Sequence, residues 1–296
     1  MICTFLDLLG FSNYTKENIE DALNLINNYH TILNTNYTMF NKFTSLKTFL
    51  PSSDSIFIVA EDINLFIPQL SDFLIDCFIY TSHAYRYPKD IKEPTKVTMR
   101  DVEYNEKNKT AEIKNREMNW FPTIFRGGVA YGEIIEFKQD SIVNGSLTKQ
   151  NNLAGKAIVK SVLLEKSGRG PRIFCDQDIF DKLDSKIYNK YILRTKKTTE
   201  ILWPISIYNE TDNPDIELQN NFLSLFDPAY NLWKSLNDNS IKIIYYNLMK
   251  IIVLSTVRFF SLNNYENECY AFIVKELKMK NIYNLYKDLV NGSEME

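Results

Sequence analysis

The chain has 296 residues with 34 basic and 37 acidic side chains, which give a formal net charge of −3. Hydrophobic residues make up 45% and charged residues 24% of the sequence, which is typical of a soluble globular protein and excludes a disordered or fibrous one. The near-neutral charge argues against nucleic acid as a partner, although it leaves room for a local basic pocket. The two histidines and four scattered cysteines form no CxxC or HExxH motif, so no zinc site is expected.

The N-terminal third predicts strands alternating with helices. Residues 2–9 form a short apolar run that ends at Gly10 and predicts a central strand. Apolar residues at helical spacing over 19–33 predict a helix capped by Ser12 or Thr15. Two strands, 43–49 and 55–60, flank turn residues 51–54 and predict a β-hairpin, after which Asp62 opens a second helix.

The middle of the chain continues this alternation. Residues 85–119 are strongly charged and predict an exposed hairpin insertion, either solvated or used to sense a partner. The remaining predicted elements are a strand over 125–137, a helix over 154–166, a strand over 172–175, a helix over 177–183 and strands near 191 and over 201–208. This order predicts an α/β (α+β) sandwich built around a mixed sheet.

A change of pattern near residues 212–214 predicts a boundary between an α/β domain, 1–210, and an all-helical extension, 211–296. Helices are expected over 222–236, 241–262 and 266–290, with aromatic faces that form core or a dimer interface. Charged residues interrupt 241–260, so that stretch predicts a buried helix and no membrane association. The start of the chain lacks the pattern of a signal peptide, and we expect a cytoplasmic protein whose cysteines are buried in a reducing compartment.

Two carboxylates stand out by their positions. Asp7 ends the first strand and Asp54 lies in the hairpin turn, so neighbouring strands would direct both into one cleft. With the backbone carbonyl of Leu8 they would hold a pair of divalent cations, the arrangement that activates an attacking oxygen and neutralises a leaving phosphate. The loop from Leu8 to Ser12 would offer backbone N–H groups to an anion. In the alternative reading, Asp7 caps a loop and Asp54 only forms the turn.

Four strings of residues, in order over about 2–208, resemble the catalytic domain of class III nucleotide cyclases. They are FLDLLGFS at 5–12, SDSIFIV at 53–59, FRGGVAYGE at 125–133 and the helix that begins GKAI at 155 and ends LE at 165. The resemblance implies a head-to-tail homodimer with active sites at its interface and two Mg²⁺ or Mn²⁺ ions on Asp7, Leu8 and Asp54. It also implies that the triphosphate of a nucleotide lies on the loop Leu8, Leu9, Gly10, Phe11 and Ser12.

The chain departs from the family where purine-specific members recognise the base. Leu50 stands where those members have a lysine, and Asn152 stands where they have an aspartate. A purine would therefore lose its usual hydrogen-bonding pair. Tyr131 either contacts the base or only packs.

A second departure concerns the transition state. Val159 and Leu163 replace the family's asparagine and arginine. Lys160 or Lys156 would have to supply the missing positive charge, since a lost donor of this kind costs about 10²–10³ in rate. Arg126 either binds phosphate or pairs with a carboxylate in the sheet. The alternative for Lys160 is a solvated lysine on the surface, without a catalytic role. His30 and His83 are expected to be structural.

This combination is similar to the pyrimidine cyclases of bacterial Pycsar antiphage systems. The resemblance implies cyclisation of UTP, in preference to CTP, to cUMP with release of pyrophosphate, and a separate effector that reads the product. Two alternatives stay open. The first is a catalytically silent cyclase-like domain that binds a nucleotide or partner, which Val159 and Leu163 favour and the retained Asp7 and Asp54 oppose. The second is a purine cyclase with unusual base contacts.

Overall fold

Strands and helices both occur as far as residue 201, and α-helices follow from residue 214. The structure is a computed structural model that describes residues 1–87, 95–105, 110–210 and 213–290. Its strands are β1 (Ile2–Leu8), β2 (Leu46–Ser52), β3 (Ser55–Ala60), β4 (Thr95–Asn105), β5 (Thr110–Trp120), β6 (Phe125–Tyr131), β7 (Ile135–Val143), β8 (Ser146–Ala154), β9 (Ile173–Cys175), β10 (Ile192–Arg194) and β11 (Thr199–Ile201). Its α-helices are α1 (Phe11–Glu17), α2 (Ile19–Thr38), α3 (Ile63–Ser82), α4 (Lys156–Glu165), α5 (Ser185–Tyr191), α6 (Pro214–Ser235), α7 (Asn239–Leu262), α8 (Glu266–Met279) and α9 (Tyr283–Val290).

Seven strands form one mixed sheet in the order β10-β11-β9-β6-β1-β3-β2. β1 lies inside this sheet, antiparallel to both β3 and β6, while β6 and β9 are parallel. The apolar run of β1 is buried on both faces, as expected of an interior strand. The predictions of a central first strand and of a mixed α/β fold with a mixed sheet and flanking helices are confirmed.

The β2–β3 hairpin places the string SDSIFIV, residues 53–59, beside β1. Its turn is Ser53–Asp54, with Ser53 in the left-handed region at φ 57°. Pro51 is tolerated within β2 because β2 is an edge strand and one side of it needs no ladder hydrogen bonds. The strand predicted at 43–49 is displaced, because β2 begins only at Leu46.

The helix caps differ from expectation at one position and agree at another. The Asn18 side chain, and not Ser12 or Thr15, caps α2 by accepting a hydrogen bond from the Glu20 backbone N–H at 2.9 Å. Asp62 caps α3 as predicted, accepting from the backbone N–H groups of Asn64 and Leu65.

Three other predictions are corrected. The strand expected over 125–137 ends at Tyr131, and the chain then forms a separate hairpin, β7–β8. Residues 203–207 form a 3₁₀-helix and not a strand, with the Trp203 indole N–H donating to the Pro171 carbonyl at 2.9 Å. The helix expected over 266–290 is divided into α8 and α9. The charged hairpin is present as β4–β5, and the centre of it, 106–109, lies outside the described residues.

The C-terminal helices share their buried surface with the α/β part. The largest cluster of buried apolar side chains runs from β1 through α3 to α7 and α8. The hydroxyl of Tyr208 and Oγ1 of Thr256 on α7 are 2.7 Å apart within this core. α6 begins at Pro214, residues 211 and 212 lie outside the described residues, and the division into two domains stays a prediction. All four cysteines are buried and free, as expected.

Two helical segments, Ile63–Arg86 and Asn239–Leu262, are long and apolar enough to cross a membrane by length and composition. In each, 56% of the apolar window is buried within the protein, as in the core helices of globular proteins. Two such helices are weak evidence for a membrane protein. The predicted buried helix over 241–260 is confirmed by α7.

Candidate active site at the end of the first strand

Asp7 and Asp54 lie at the same end of the sheet. Asp7 is opposite Ser55 in the pairing of β1 with β3, and the Ser55 hydroxyl donates to Asp7 Oδ1 at 3.3 Å. The Leu8 backbone N–H donates to the carbonyl of Asp54 at 2.9 Å, which fixes the turn against the end of β1. Both carboxylates are half-buried. The pairing of β1 with β3 therefore places the backbones of the two residues side by side, and a shared cleft for their carboxylates stays a prediction.

Arg126 lies between two carboxylates. Its Nη2 is 2.7 Å from Asp7 Oδ2, and its Nε makes an ion pair with Glu165 Oε1. Glu165 is only 3% exposed. Burial raises the pKa of Glu165, and the nearby Asp7 raises it further, while Arg126 opposes both. In this structure Arg126 therefore has the carboxylate-pairing role that the sequence left open beside a phosphate-binding role.

Gly128 explains how Glu165 reaches Arg126. A Cβ at Gly128 would collide with the backbone carbonyl of Ser161 and with the side chain of Leu164, so only glycine lets α4 lie this close to β6. The role of Glu165 was missed by the sequence reasoning. The available signal was a carboxylate at the end of a helix whose partner strand contains two consecutive glycines.

The loop after β1 turns sharply into α1. Gly10 has φ 90°, a left-handed conformation that favours glycine, and the Leu9 backbone N–H donates to the Ile124 carbonyl at 2.9 Å. Phe11 and Ser12 begin α1, so their backbone N–H groups have no acceptor within that helix. An anion-binding role for this loop stays a prediction.

A pocket of about 480 Å³ lies between β2 and the β7–β8 hairpin. Leu50 and Asn152, the two residues expected near the base, both line it. The Asn152 amide nitrogen donates to Gln139 Oε1 at 2.9 Å, and its oxygen accepts from the Leu153 backbone N–H. The pocket was invisible to the sequence reasoning because the β7–β8 hairpin was not predicted.

The predicted transition-state lysine is engaged elsewhere in this conformation. Lys160 Nζ lies 2.7 Å from Asp176 Oδ2 and 2.6 Å from Asp178 Oδ2. Hydrogen bonds to these two carboxylates raise the pKa of Lys160. Lys156 is exposed at the start of α4. The structure does not bring either lysine together with Asp7 through any ion pair or hydrogen bond among the described residues.

The remaining predicted residues have packing contacts. The ring of Tyr131 packs against the core and lies 4.4 Å from Lys182 Nζ. The His30 ring stacks on Tyr29 with centroids 4.6 Å apart, and burial lowers the pKa of His30. His83 begins a 3₁₀ turn after α3. The stacking of His30 agrees with a structural role, whereas His83 is exposed and its role stays a prediction.

The donor set at the end of β1 fits a hard divalent cation. Asp7, Asp54 and the Leu8 carbonyl offer only oxygen atoms, the ligands that Mg²⁺ prefers. Among the described residues, no group of three or more His, Cys, Asp and Glu side chains is placed to hold a metal. Two carboxylates suit Mg²⁺ nevertheless, because it retains waters and takes substrate phosphate as ligands.

No protein-family model matches this sequence, and no curated protein matches it significantly. The fold and the site define a mixed α/β protein with a carboxylate–arginine cluster at one end of its central sheet.

Proposed function

We propose that the chain is a metal-dependent nucleotide cyclase that converts a pyrimidine nucleoside triphosphate, UTP in preference to CTP, to a cyclic monophosphate with release of pyrophosphate. One observation carries the proposal. The backbones of Asp7 and Asp54 lie beside each other at the end of β1, where Asp7 is paired with Arg126. The class III cyclase domain is the catalytic arrangement that the residue strings around these positions resemble.

Asp7, Asp54 and the Leu8 carbonyl would hold Mg²⁺ or Mn²⁺. When bound, such ions lower the pKa of the attacking hydroxyl and neutralise charge on the leaving phosphates. The chain's own contribution is the free backbone N–H groups of Phe11 and Ser12, which donate to triphosphate oxygens. Arg126 adds a positive charge beside Asp7, and Glu165 fixes its orientation.

The preference for a pyrimidine is supported by the pocket between β2 and the β7–β8 hairpin. Its predicted base contacts are the apolar Leu50 and the neutral amide of Asn152. An amide both donates and accepts hydrogen bonds, which suits the edge of uracil or cytosine. The lysine and aspartate that would recognise a purine are missing at these positions.

A homodimer is supported by apolar side chains exposed on the hairpin and on α4. Ile142 and Leu147 at the hairpin tip are 76% and 72% exposed, and Val159 and Leu163 on α4 are 60% and 61% exposed. A surface of this kind is typical of a protein interface. We place the enzyme in the cytoplasm as an antiphage defence cyclase whose product is read by a separate effector, following the resemblance to the Pycsar cyclases.

One observation favours the silent, nucleotide-binding alternative. Lys160, which the sequence suggested as the source of the transition-state charge, is ion-paired with Asp176 and Asp178. Catalysis then requires either that Lys160 leaves these partners when nucleotide binds or that Arg126 supplies the charge.

Mass-resolved product analysis tests the proposal. Purified protein is incubated separately with UTP, CTP, ATP and GTP in the presence of Mn²⁺. A cyclic monophosphate from UTP, with less from CTP, is expected. Metal-dependent nucleotide binding without product would support the silent domain, and a product from ATP or GTP alone would support the purine cyclase.

A further inference from the structure

A second cavity, of about 290 Å³, is lined on one side by the Leu9–Gly10 turn. Its walls are α1, the segment 121–124 and the C-terminal helices α6 and α7. It shares no lining residue with the pocket between β2 and the β7–β8 hairpin. It includes Leu9 and Gly10 of the loop proposed to bind the triphosphate, but the proposed nucleotide chemistry gives its aromatic walls no role.

Four aromatic rings line this cavity. They come from α1, from the 3₁₀ turn after α3, from the segment before β6 and from α7: Tyr14, Tyr85, Phe121 and Tyr245. The rings of Tyr14 and Phe121 have centroids 4.6 Å apart at an angle of 47°. The faces of such rings carry partial negative charge and attract cations.

Two of the tyrosines are almost completely buried. Tyr85 is 6% and Tyr245 is 8% exposed, and both line the cavity. Burial raises the pKa of both phenols, so each remains protonated at neutral pH. A buried neutral phenol gains stability by accepting from an N–H group or donating to an acceptor.

The charge of the lining has one sign. Glu17 carries the only ionisable carboxylate on the wall, and no Lys, Arg or His from the described residues lines it. Burial raises the pKa of Tyr14 most, and the neighbouring Tyr85, Asp21 and Glu17 raise it further. An anion would be repelled here and a cation attracted.

We propose that this cavity binds a small organic ammonium ion with an apolar body. The ammonium N–H groups donate to the phenol oxygens of Tyr85 and Tyr245, and the ring faces contact the cation. Glu17 neutralises its charge at the wall, and the apolar side chains contributed by α6 and α7 bury its hydrocarbon part. The cavity volume is at the lower end of the range for small-molecule sites.

Isothermal titration calorimetry on the full chain tests this with three probes of similar size. Phenethylamine is a cation at neutral pH, phenethyl alcohol is neutral and hydrocinnamate is an anion. We expect phenethylamine to bind at least about tenfold more tightly than the alcohol, and hydrocinnamate to bind least. Equal binding of all three probes, or no binding of phenethylamine, would overturn the proposal.

Two variants locate the binding. Glu17→Gln, at an exposed position, should remove most of the preference for the cation, and Tyr245→Phe should weaken phenethylamine binding. Glu20→Gln is the matched control, since Glu20 is exposed and does not line the cavity. Cation preference unchanged by Glu17→Gln would contradict the assignment even if Tyr245→Phe fails to fold. Because binding is measured without nucleotide, its failure is distinct from failure of the proposed cyclase.

Discussion

Arg126 Nη2 lies 2.7 Å from Oδ2 of Asp7, so the carboxylate at the end of the first strand is paired before any ligand arrives. The same guanidinium is paired with Glu165, which is almost completely buried. This arrangement fixes the direction of Arg126 and partly neutralises Asp7. It joins the strand that holds the proposed metal ligands to helix α4, whose exposed face we propose as dimer surface.

The first prediction concerns the stability of this cluster. Arg126→Met leaves Glu165 as a buried carboxylate without its cation, and we expect it to lower the free energy of unfolding by about 3 kcal/mol. Glu165→Gln added to Arg126→Met should recover part of that loss, because the buried group is then neutral. Urea unfolding of both variants measures the difference. Arg169→Met, at an exposed arginine, is the control and should change stability by less than about 0.5 kcal/mol. A double variant no more stable than Arg126→Met would contradict the account.

The second prediction is a pH dependence of stability. The folded chain raises the pKa of Glu165 above its ordinary value of 4.5, mainly through burial. Between 4.5 and the raised pKa the folded state therefore binds more protons than the unfolded state. The contribution of Glu165 to stability is fully present below pH 4.5 and is lost as pH rises through the raised pKa.

Comparison with Glu165→Gln isolates this contribution, because Asp72, another carboxyl whose pKa burial raises, is present in both proteins. Wild-type stability minus that of Glu165→Gln should decrease as pH increases from 4.5. Chemical denaturation at a series of pH values gives this difference. A difference that is constant with pH, or that increases with it, would show that burial does not control the ionisation of Glu165.

The third prediction concerns the choice of base. Under the proposed function, Leu50→Lys with Asn152→Asp introduces the pair that purine-specific class III cyclases carry, and both positions line one pocket. We expect the ratio of ATP product to UTP product to increase by about tenfold. Leu50→Met is the control because it retains an apolar side chain. An unchanged product ratio would mean that this pocket does not hold the base.

The fourth prediction concerns the dimer. Val159→Asp places a charge in the exposed apolar face of α4 with little change in intrinsic helix propensity. The dimer dissociation constant measured by sedimentation should increase by at least about tenfold. Leu65→Asp, at an exposed apolar position in the first turn of α3, should leave it unchanged. Equal effects of the two substitutions would show that α4 is not part of the proposed dimer interface.

The sequence predicted those features that local patterns determine. The apolar run of β1, the cap at Asp62 and the turn at Ser53–Asp54 are all read within a few residues, and the structure confirms each of them. The neighbouring positions of Asp7 and Asp54 followed because sequential strands are usually adjacent.

Other features depend on contacts distant in the sequence or on signals that were overlooked. The β7–β8 hairpin is rich in polar and charged residues, which hid its strands, but its turn Asn144–Gly145 has positive φ at both residues and is a strong local hairpin signal. The ion pair of Arg126 with Glu165 spans 39 residues and has no local pattern. The engagement of Lys160 by Asp176 and Asp178 likewise depends on where β9 places the following segment.

The most direct measurement is metal-dependent product formation from UTP by the wild type, by Asp54→Asn and by Asp62→Asn. Asp54 is a proposed metal ligand, whereas Asp62 caps α3, a role that asparagine fulfils equally well. We predict a cyclic uridine monophosphate from the wild type and from Asp62→Asn, and a loss of at least about 10²-fold with Asp54→Asn, provided that all three proteins unfold alike. Undiminished product from Asp54→Asn would contradict the assignment of the site, and no product from any of the three would contradict the proposed cyclase.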